Sequence, residues 1–438
     1  FVFLIMQHIQ GISRHQLQMS SLEDKITADN PVRFIDAFVN HIDPVKIGFQ
    51  PKILKTEGRP NFRLEVFLKL YLYGYLNGVR SSRRLEKECF RNIEVQWLLE
   101  AIYPNYHSIA DFRKDNPKAL KQLFKLFVSF LKDAELIAGD TIAIDGTKSR
   151  AHNSKKANYN QKKIDKHKAY IDAKSQEYLD QLEQNDIQEN PVVIKNIQQK
   201  IEGLKQNKIK YELLEEELKN SGEPQISTTD ADARALLVQG QVVEVSYNIQ
   251  AAVDSKHNLV VATHTINRND KNALAAIALE VKENLALETF TVLVDKGYHN
   301  GRELHTCKQN NITTIVAVPE QGKSNENGTQ PEYLVSKFIY NKENNSYTCP
   351  EGKTLTTTGS WHKKTGRTEE SGYNFQKYRT PACKTCLVKG LCTSRNGGRE
   401  IDRSQYADAV EENHQRYKDN PQLYRKRQEI NEHIFGTI

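Results

Sequence analysis

The chain reads as an α/β protein with an α-helical region in front of it, and three features of its 438 residues point there. Two apolar runs of strand character, Thr141-Ile-Ala-Ile-Asp-Gly-Thr147 and Phe290-Thr-Val-Leu-Val-Asp295, each end in an aspartate. Between them, alternating runs on either side of a polar turn read as an antiparallel hairpin. Ahead of the first run, from about Asn30 to Leu136, apolar residues recur on a helical period.

Taken in order, Asn61 to Tyr75 is an apolar helix that Gly78 ends, and Ser81 or Ser82 is placed to cap the next one, Arg83 to Arg91. Asn105 to Arg113 turns into a short helix, and Ala119 to Ile137 forms a long amphipathic one. After the Thr141 strand, Lys162 to Lys219 is polar and predicts a helical hairpin broken near Asn190-Pro191. In its second arm Ile194, Ile197, Ile201 and Leu204, then Tyr211, Leu214 and Leu218, recur three and four apart. That is a short coiled-coil seam interrupted by Lys208.

Strands resume over Gln241 to Val253, turn at Asp254 to Asn258 and return over Leu259 to Ile266. Asn272 to Leu287 reads as helix, Thr289 to Val294 as strand, His299 to Gln309 as helix and Thr313 to Val318 as strand. Gln321 to Arg399 is rich in Gly, Thr, Ser and Asn with short β-like pieces, and Pro421 to Ile438 is helical. This is the element order of a ribonuclease-H-like core. The boundaries drawn are 1–137 for the helical N-terminal domain and 138–438 for the core, with a helical-hairpin insertion over 160–222 and a Cys-containing β-rich insertion over 321–400.

Apolar residues are 38% and charged residues 27% of the chain, as in a globular protein. The net charge of +7 and the pI near 8.8 are modest, but the cations cluster, which matters more for a polyanion. No apolar run approaches the roughly 20 residues that span a bilayer. Phe1-Val-Phe-Leu-Ile-Met6 lacks a basic leader and a cleavage site. With only Met6 and Met19 as methionines, Phe1 to Ile5 reads as translation from upstream of the natural start. Six cysteines without a secretion signal point to a reducing compartment and to metal rather than disulfides.

The two strand-end aspartates and a glutamate on the late helix, Glu432, form an acidic set suited to two Mg²⁺ ions, with Mn²⁺ as substitute. Such a pair of ions activates the attacking oxygen and stabilises the leaving one in phosphodiester chemistry. Aspartate at a strand end is also ordinary turn chemistry; both together, each followed closely by glycine, favour metal.

The chain resembles bacterial insertion-sequence transposases of the DDE class, of the insertion-sequence family eleven-eighty-two type with its helical N-terminal domain. The resemblance rests on Asp145-Gly-Thr-Lys148, Tyr247-Asn-Ile-Gln-Ala-Ala-Val-Asp254, Asp295-Lys-Gly-Tyr298 and Glu432-His-Ile-Phe-Gly-Thr-Ile438. Leu72-Tyr-Gly-Tyr-Leu-Asn-Gly-Val-Arg-Ser-Ser-Arg83 and Asp230-Ala-Asp-Ala-Arg234 add to it. It implies that Asp145, Asp295 and Glu432 are the catalytic, metal-binding triad, with Tyr298 in the second acid's motif. It also implies terminal inverted repeats and target DNA as partners, a homodimer or higher assembly on DNA, no membrane, and a cytoplasmic, nucleoid-associated bacterial location. Two departures stand out. Tyr424 and Arg427 keep the related spacing, but four residues separate Arg427 from Glu432 where three are usual, which leaves Glu429 as a rival. The related Glu-x6-Lys pattern would put its lysine just past Ile438. A shortened, catalytically inactive DNA-binding derivative is therefore the alternative reading, and a nuclease without strand transfer a third.

Cys383-Lys-Thr-Cys386, with Cys392 and Cys349, is a candidate structural Zn²⁺ site; Cys89 and Cys307 read as packing residues. Candidate DNA contacts are Arg80, Arg83, Arg84, Lys87 and Arg91 in the N-terminal region, Lys148, Arg150, Lys155 and Lys156 beyond the first acid, and Tyr298. Tyr159 and His152 are candidates for stacking on bases, and His152 and His299 for solvent or DNA contact. Asp232 and Arg234 read as turn-holding residues.

Overall fold

The computed structural model describes residues 12–13, 15–17, 19–50, 60–151, 155–186, 191–238, 242–319, 329–366 and 372–436. The expectations for Phe1 to Met6, His152 and the break at Asn190 lie outside these residues. Two compact units divide the chain, Phe1–Val128 and Ser129–Ile438.

The first unit is helical. Its helices are α1 (Pro31–His41), α2 (Pro44–Ile47), α3 (Leu64–Leu76), α4 (Ser82–Arg91), α5 (Ile93–Leu98), α6 (Tyr106–Asp115) and α7 (Pro117–Asp133), the last running past the unit's end. Side-chain oxygens of Asn30, Asp43, Asn92 and Asn105 accept from the first free N–H groups of α1, α2, α5 and α6. Ser81 takes the N-cap backbone conformation of α4 but makes no capping bond. Helix α3 is buried on almost every side, including Leu68 and Leu70, and its buried Lys69 donates to Asp36 at 2.5 Å. At Gly74 a Cβ would lie 2.6 Å from the Val79 carbonyl oxygen and 2.7 Å from Leu85, so α4 closes on α3 because no side chain is there.

The second unit is built on one mixed sheet. In chain order it begins with β1 (Thr141–Arg150), β2 (Asn158–Tyr159), α8 (Gln161–Asp186), α9 (Pro191–Ser221), β3 (Ile226–Ser227) and β4 (Arg234–Val238). Then come β5 (Val242–Asp254), β6 (Val260–Ile266), α10 (Leu274–Asn284), β7 (Phe290–Val294), α11 (Gly301–Gln309) and β8 (Ile312–Val316). Strand β5 pairs antiparallel with β1 on one edge and with β4 and β6 along the other. Strand β7 runs parallel to β1, and β8 parallel to β7. Strand β4 was not expected from sequence; its Arg234 is buried and donates to the Ala231 and Ala233 carbonyls, holding the turn.

Helices α8 and α9 form an antiparallel pair between β2 and β3. Ile164, Ile171, Ile197, Ile201, Leu214 and Leu218 are buried in it. Lys208, which breaks the apolar series, is met by Asp172 of α8 at 2.6 Å. Tyr159 is not a base-stacking residue: its ring is buried with Ile164, Leu214 and Ile226, and the Lys163 ammonium covers it at 4.4 Å.

Two small sheets follow, β9 (Ile339–Asn341), β10 (Ser346–Thr348) and β11 (Thr354–Leu355), then β12 (Trp361–Lys364), β13 (Tyr373–Tyr378) and β14 (Ile401–Ser404), with α12 (Lys389–Cys392) before β14. Phe338, Tyr347, Leu355, Tyr378 and Ile401 are their shared core. Helices α13 (Ala407–Asp419) and α14 (Pro421–Phe435) return to the main sheet. The buried Asn413 of α13 brackets Val316, accepting from its N–H at 2.9 Å and donating to its carbonyl at 3.0 Å. Ile430 and Ile434 of α14 pack on Ala143 and Val253. Among the described residues no helix is long and apolar enough to cross a membrane.

Candidate active site

Ile142, Ala143 and Ile144 of β1 are fully buried, and Asp145 is the first half-exposed residue after them. Val292 to Val294 of β7 are likewise buried, and Asp295 follows. Ala143 pairs with Leu293 across the parallel strands, and each aspartate lies two residues further on, so both emerge at the same end of the sheet. The Asp295 Oδ1 accepts from the Gly297 N–H at 2.7 Å and caps the turn Lys296–Tyr298.

The Asp145 Oδ1 accepts from the Gly146 N–H at 2.8 Å, and its Oδ2 accepts from Arg427 Nη1 at 3.1 Å. Burial raises the Asp145 pKa; the Gly146 N–H and Arg427 pull it down, while Asp295 and Asp270 push it up, and the net direction is upward. The site thus crowds negative charge in a poorly solvated place. Arg427 lies at 5.9 Å from the ring of Tyr424, and Asp295 is close enough to raise the Tyr424 pKa, which burial raises most.

Helix α14 presents a face to Asp145. Arg427, Asn431, Glu432 and Phe435 line a cleft of about 380 Å³ together with Asp145, Gly146 and Thr147. Glu432 is exposed on its wall, and Glu429 does not line it. The Ile430 and Ile434 pair sets the helix's rotation on the sheet, and that rotation separates the two glutamates. Asn431 is 2% exposed, and neither Oδ1 nor Nδ2 has a hydrogen-bond partner among the described residues.

Behind Asp145, on the opposite face of the pleated sheet, lies a polar network absent from the sequence reading. Asp270 Oδ1 accepts from Asn248 Nδ2 at 2.7 Å and from Gln250 Nε2 at 2.9 Å. Tyr298 donates to Gln250 Oε1. Ser246, Asn248 and Gln250, three polar residues on one face of a strand that continues into apolar sequence, were the available signal; all are fully buried. Gly146 gives this network room, since a Cβ there would sit 2.3 Å from Gln250 Nε2 and 2.8 Å from both Asn248 Oδ1 and Asp270 Oδ1.

Tyr298 is therefore not a DNA contact. It is 0% exposed, and burial with the carboxylates of Asp270, Asp145 and Asp295 holds its pKa far above the usual phenol range. Lys148 is largely buried with its ammonium 3.9 Å from Asp270. Arg150 is ion-paired with Glu244 yet still 78% exposed, and Lys155 and Lys156 are exposed. His299 is half-buried rather than solvent-facing, its Nε2 without a partner among the described residues. In the N-terminal unit Arg80, Arg83, Arg84, Lys87 and Arg91 are all exposed. The glutamates interleaved with them are turned to other work: Glu88 accepts from Arg91 and Asn92, and Glu86 from the Tyr106 N–H. A larger cleft of that unit, about 750 Å³, carries none of the acids.

Hard carboxylate oxygens gathered at one end of the sheet fit a divalent cation in chemistry. Among the described residues, however, no three His, Cys, Asp or Glu side chains converge tightly enough to hold a metal ion between them.

The chain matches the family model described as Transposase domain (DUF772) over residues 20–115 and that described as Transposase DDE domain over residues 348–438. The two matches together support an insertion-sequence DDE transposase. No curated protein and no solved structure matches the chain.

Proposed function

We propose that this chain is a DDE transposase of the insertion-sequence family eleven-eighty-two type, cutting DNA at its element's ends and joining the 3′-hydroxyl to target DNA. The observation that carries the reading is the emergence of Asp145 and Asp295 at one end of adjacent parallel strands, with Glu432 on the wall of the Asp145 cleft. A sheet ordered β6-β5-β1-β7-β8, with the first three strands antiparallel and the last two parallel to β1, supports a ribonuclease-H-like core.

In this reading Asp145, Asp295 and Glu432 hold two Mg²⁺ ions, or Mn²⁺, which when bound supply an activated attacking oxygen and a stabilised leaving group. Arg427 holds the Asp145 carboxylate in a fixed orientation and supplies positive charge on the side from which a phosphate enters. Gln250 and Asp270 brace Tyr298 behind the acids as a neutral, immobile support. The exposed cations of α4 hold terminal inverted repeats, and Arg150, Lys155 and Lys156 hold DNA near the scissile bond. Two DNA ends require at least a dimer, working at the bacterial nucleoid in the cytoplasm.

The test is an in vitro reaction with duplexes carrying the inverted repeats that flank its gene. Joined products support the reading; cutting without joining makes it a nuclease; binding without cutting makes it a non-catalytic DNA-binding protein. Asp145→Asn and Asp295→Asn should abolish cutting and spare binding.

A further inference from the structure

Cys349, Cys383, Cys386 and Cys392 come from three separate places in the chain and line one small cavity of about 30 Å³. All four are half-buried and free. The backbone around them is arranged for sulfur. The Cys349 carbonyl accepts from the Gly352 N–H at 2.9 Å, with Gly352 at a φ of 71°, and this tight turn aims the Lys353 N–H at the Cys349 Sγ at 3.2 Å. Cys383 and Cys386 bracket one turn of 3₁₀ helix, and Cys392 closes α12. Gly398, at a φ of 90°, brings the chain so close that a Cβ would stand 2.4 Å from the Cys383 Cβ.

From this placement we infer that the four cysteines bind one structural Zn²⁺ as tetrahedral thiolates, stapling the β9–β14 region. Sulfur-only coordination selects Zn²⁺ over the harder cations of the acidic cleft. Binding releases the thiol protons and leaves the site with a net double negative charge. Lys353, Lys389 and Arg399 line the same cavity and, against the single carboxylate of Glu351, leave it net positive and able to offset that charge. Among the described residues the core of this region is five buried side chains with Tyr340, Cys349 and Cys392 packed against them, a small core for two three-stranded sheets, which a cross-link would brace. No three cysteine side chains among the described residues already stand as a closed ligand shell, so the inference rests on the shared cavity and on the backbone turns that bring the four cysteines to it.

This inference is independent of the catalytic reading. The full chain, purified without chelator, should carry one equivalent of zinc by mass spectrometry. A mercurial reagent should release it, and exchange for Co²⁺ should give the charge-transfer bands of tetrahedral thiolate. Cys383→Ser and Cys386→Ser should lose the metal, while Cys307→Ala, a change at a buried cysteine of α11, should keep it. Parent protein with far less than one equivalent of zinc and four cysteines freely reactive toward a disulfide reagent would overturn the inference. So would iron in place of zinc, or zinc retained in both serine variants.

Discussion

Replacing Gly146 by alanine sets two expectations against each other. In a strand interior alanine is ordinarily better than glycine by roughly 0.5–1 kcal/mol, because glycine has more conformational freedom to lose. Here the new methyl group would meet Gln250 Nε2 at 2.3 Å and Asn248 Oδ1 and Asp270 Oδ1 at 2.8 Å. Gln250 would have to retreat by about an ångström to reach ordinary contact distance. It is buried, and its retreat would stretch both the bond to Asp270 and the bond from Tyr298. Hydrogen bonds to a charged group contribute about 1.5–3 kcal/mol, so Gly146→Ala should destabilise the chain by roughly 3 kcal/mol. Asp145 and Asp295 rest on the same scaffold, and a displacement of that size should lower cleavage by about a hundredfold. Urea denaturation of the Ser129–Ile438 signal, read beside a cleavage assay, measures both effects. A variant as stable as the parent and as active would refute the packing argument.

Two further outcomes follow from the same physical account. Asn431→Leu removes a buried amide whose two polar atoms lack partners among the described residues, so it should raise stability by about 1–2 kcal/mol in thermal melts. It should also lower cleavage, since that amide faces the Asp145 cleft; unchanged cleavage would deny it a role there. Arg84→Ala and Lys87→Ala should each flatten the log–log salt dependence of DNA binding by about 0.9, measured by fluorescence anisotropy. An unchanged slope would remove α4 from the DNA-binding surface.

The acids at the strand ends were legible because each closes an uninterrupted apolar run, a pattern that survives without knowledge of the partner strand. The helix carrying Glu432 was legible too, but its rotation depends on Ile430 and Ile434 meeting Ala143 and Val253, a long-range fit. Tyr298 and Tyr159 were misread because a tyrosine beside a turn carries no mark of which way it points. In both cases burial decided, with Gln250 bonded to Tyr298 and with Leu214 and Ile226 joining the nearby Ile164 around Tyr159, partners that local sequence does not reveal. Asp270 was invisible for the same reason, since its partners Asn248 and Gln250 belong to a strand on the far side of a hairpin. Strand β4 was missed because its short apolar run, Ala235 to Val238, is too brief to show a period and gains its identity only by pairing with β5. The cysteine spacing announced a cluster, whereas the cavity they share is a product of the fold.

The most direct test of the acidic site exchanges its oxygen ligands for sulfur. Asp145→Cys and Asp295→Cys should each lose DNA cleavage in Mg²⁺, a hard ion that rejects thiolate, and recover measurable cleavage in Mn²⁺, which tolerates it better. Full cleavage in Mg²⁺, or equal loss in both ions, would contradict a role for these carboxylates as metal ligands.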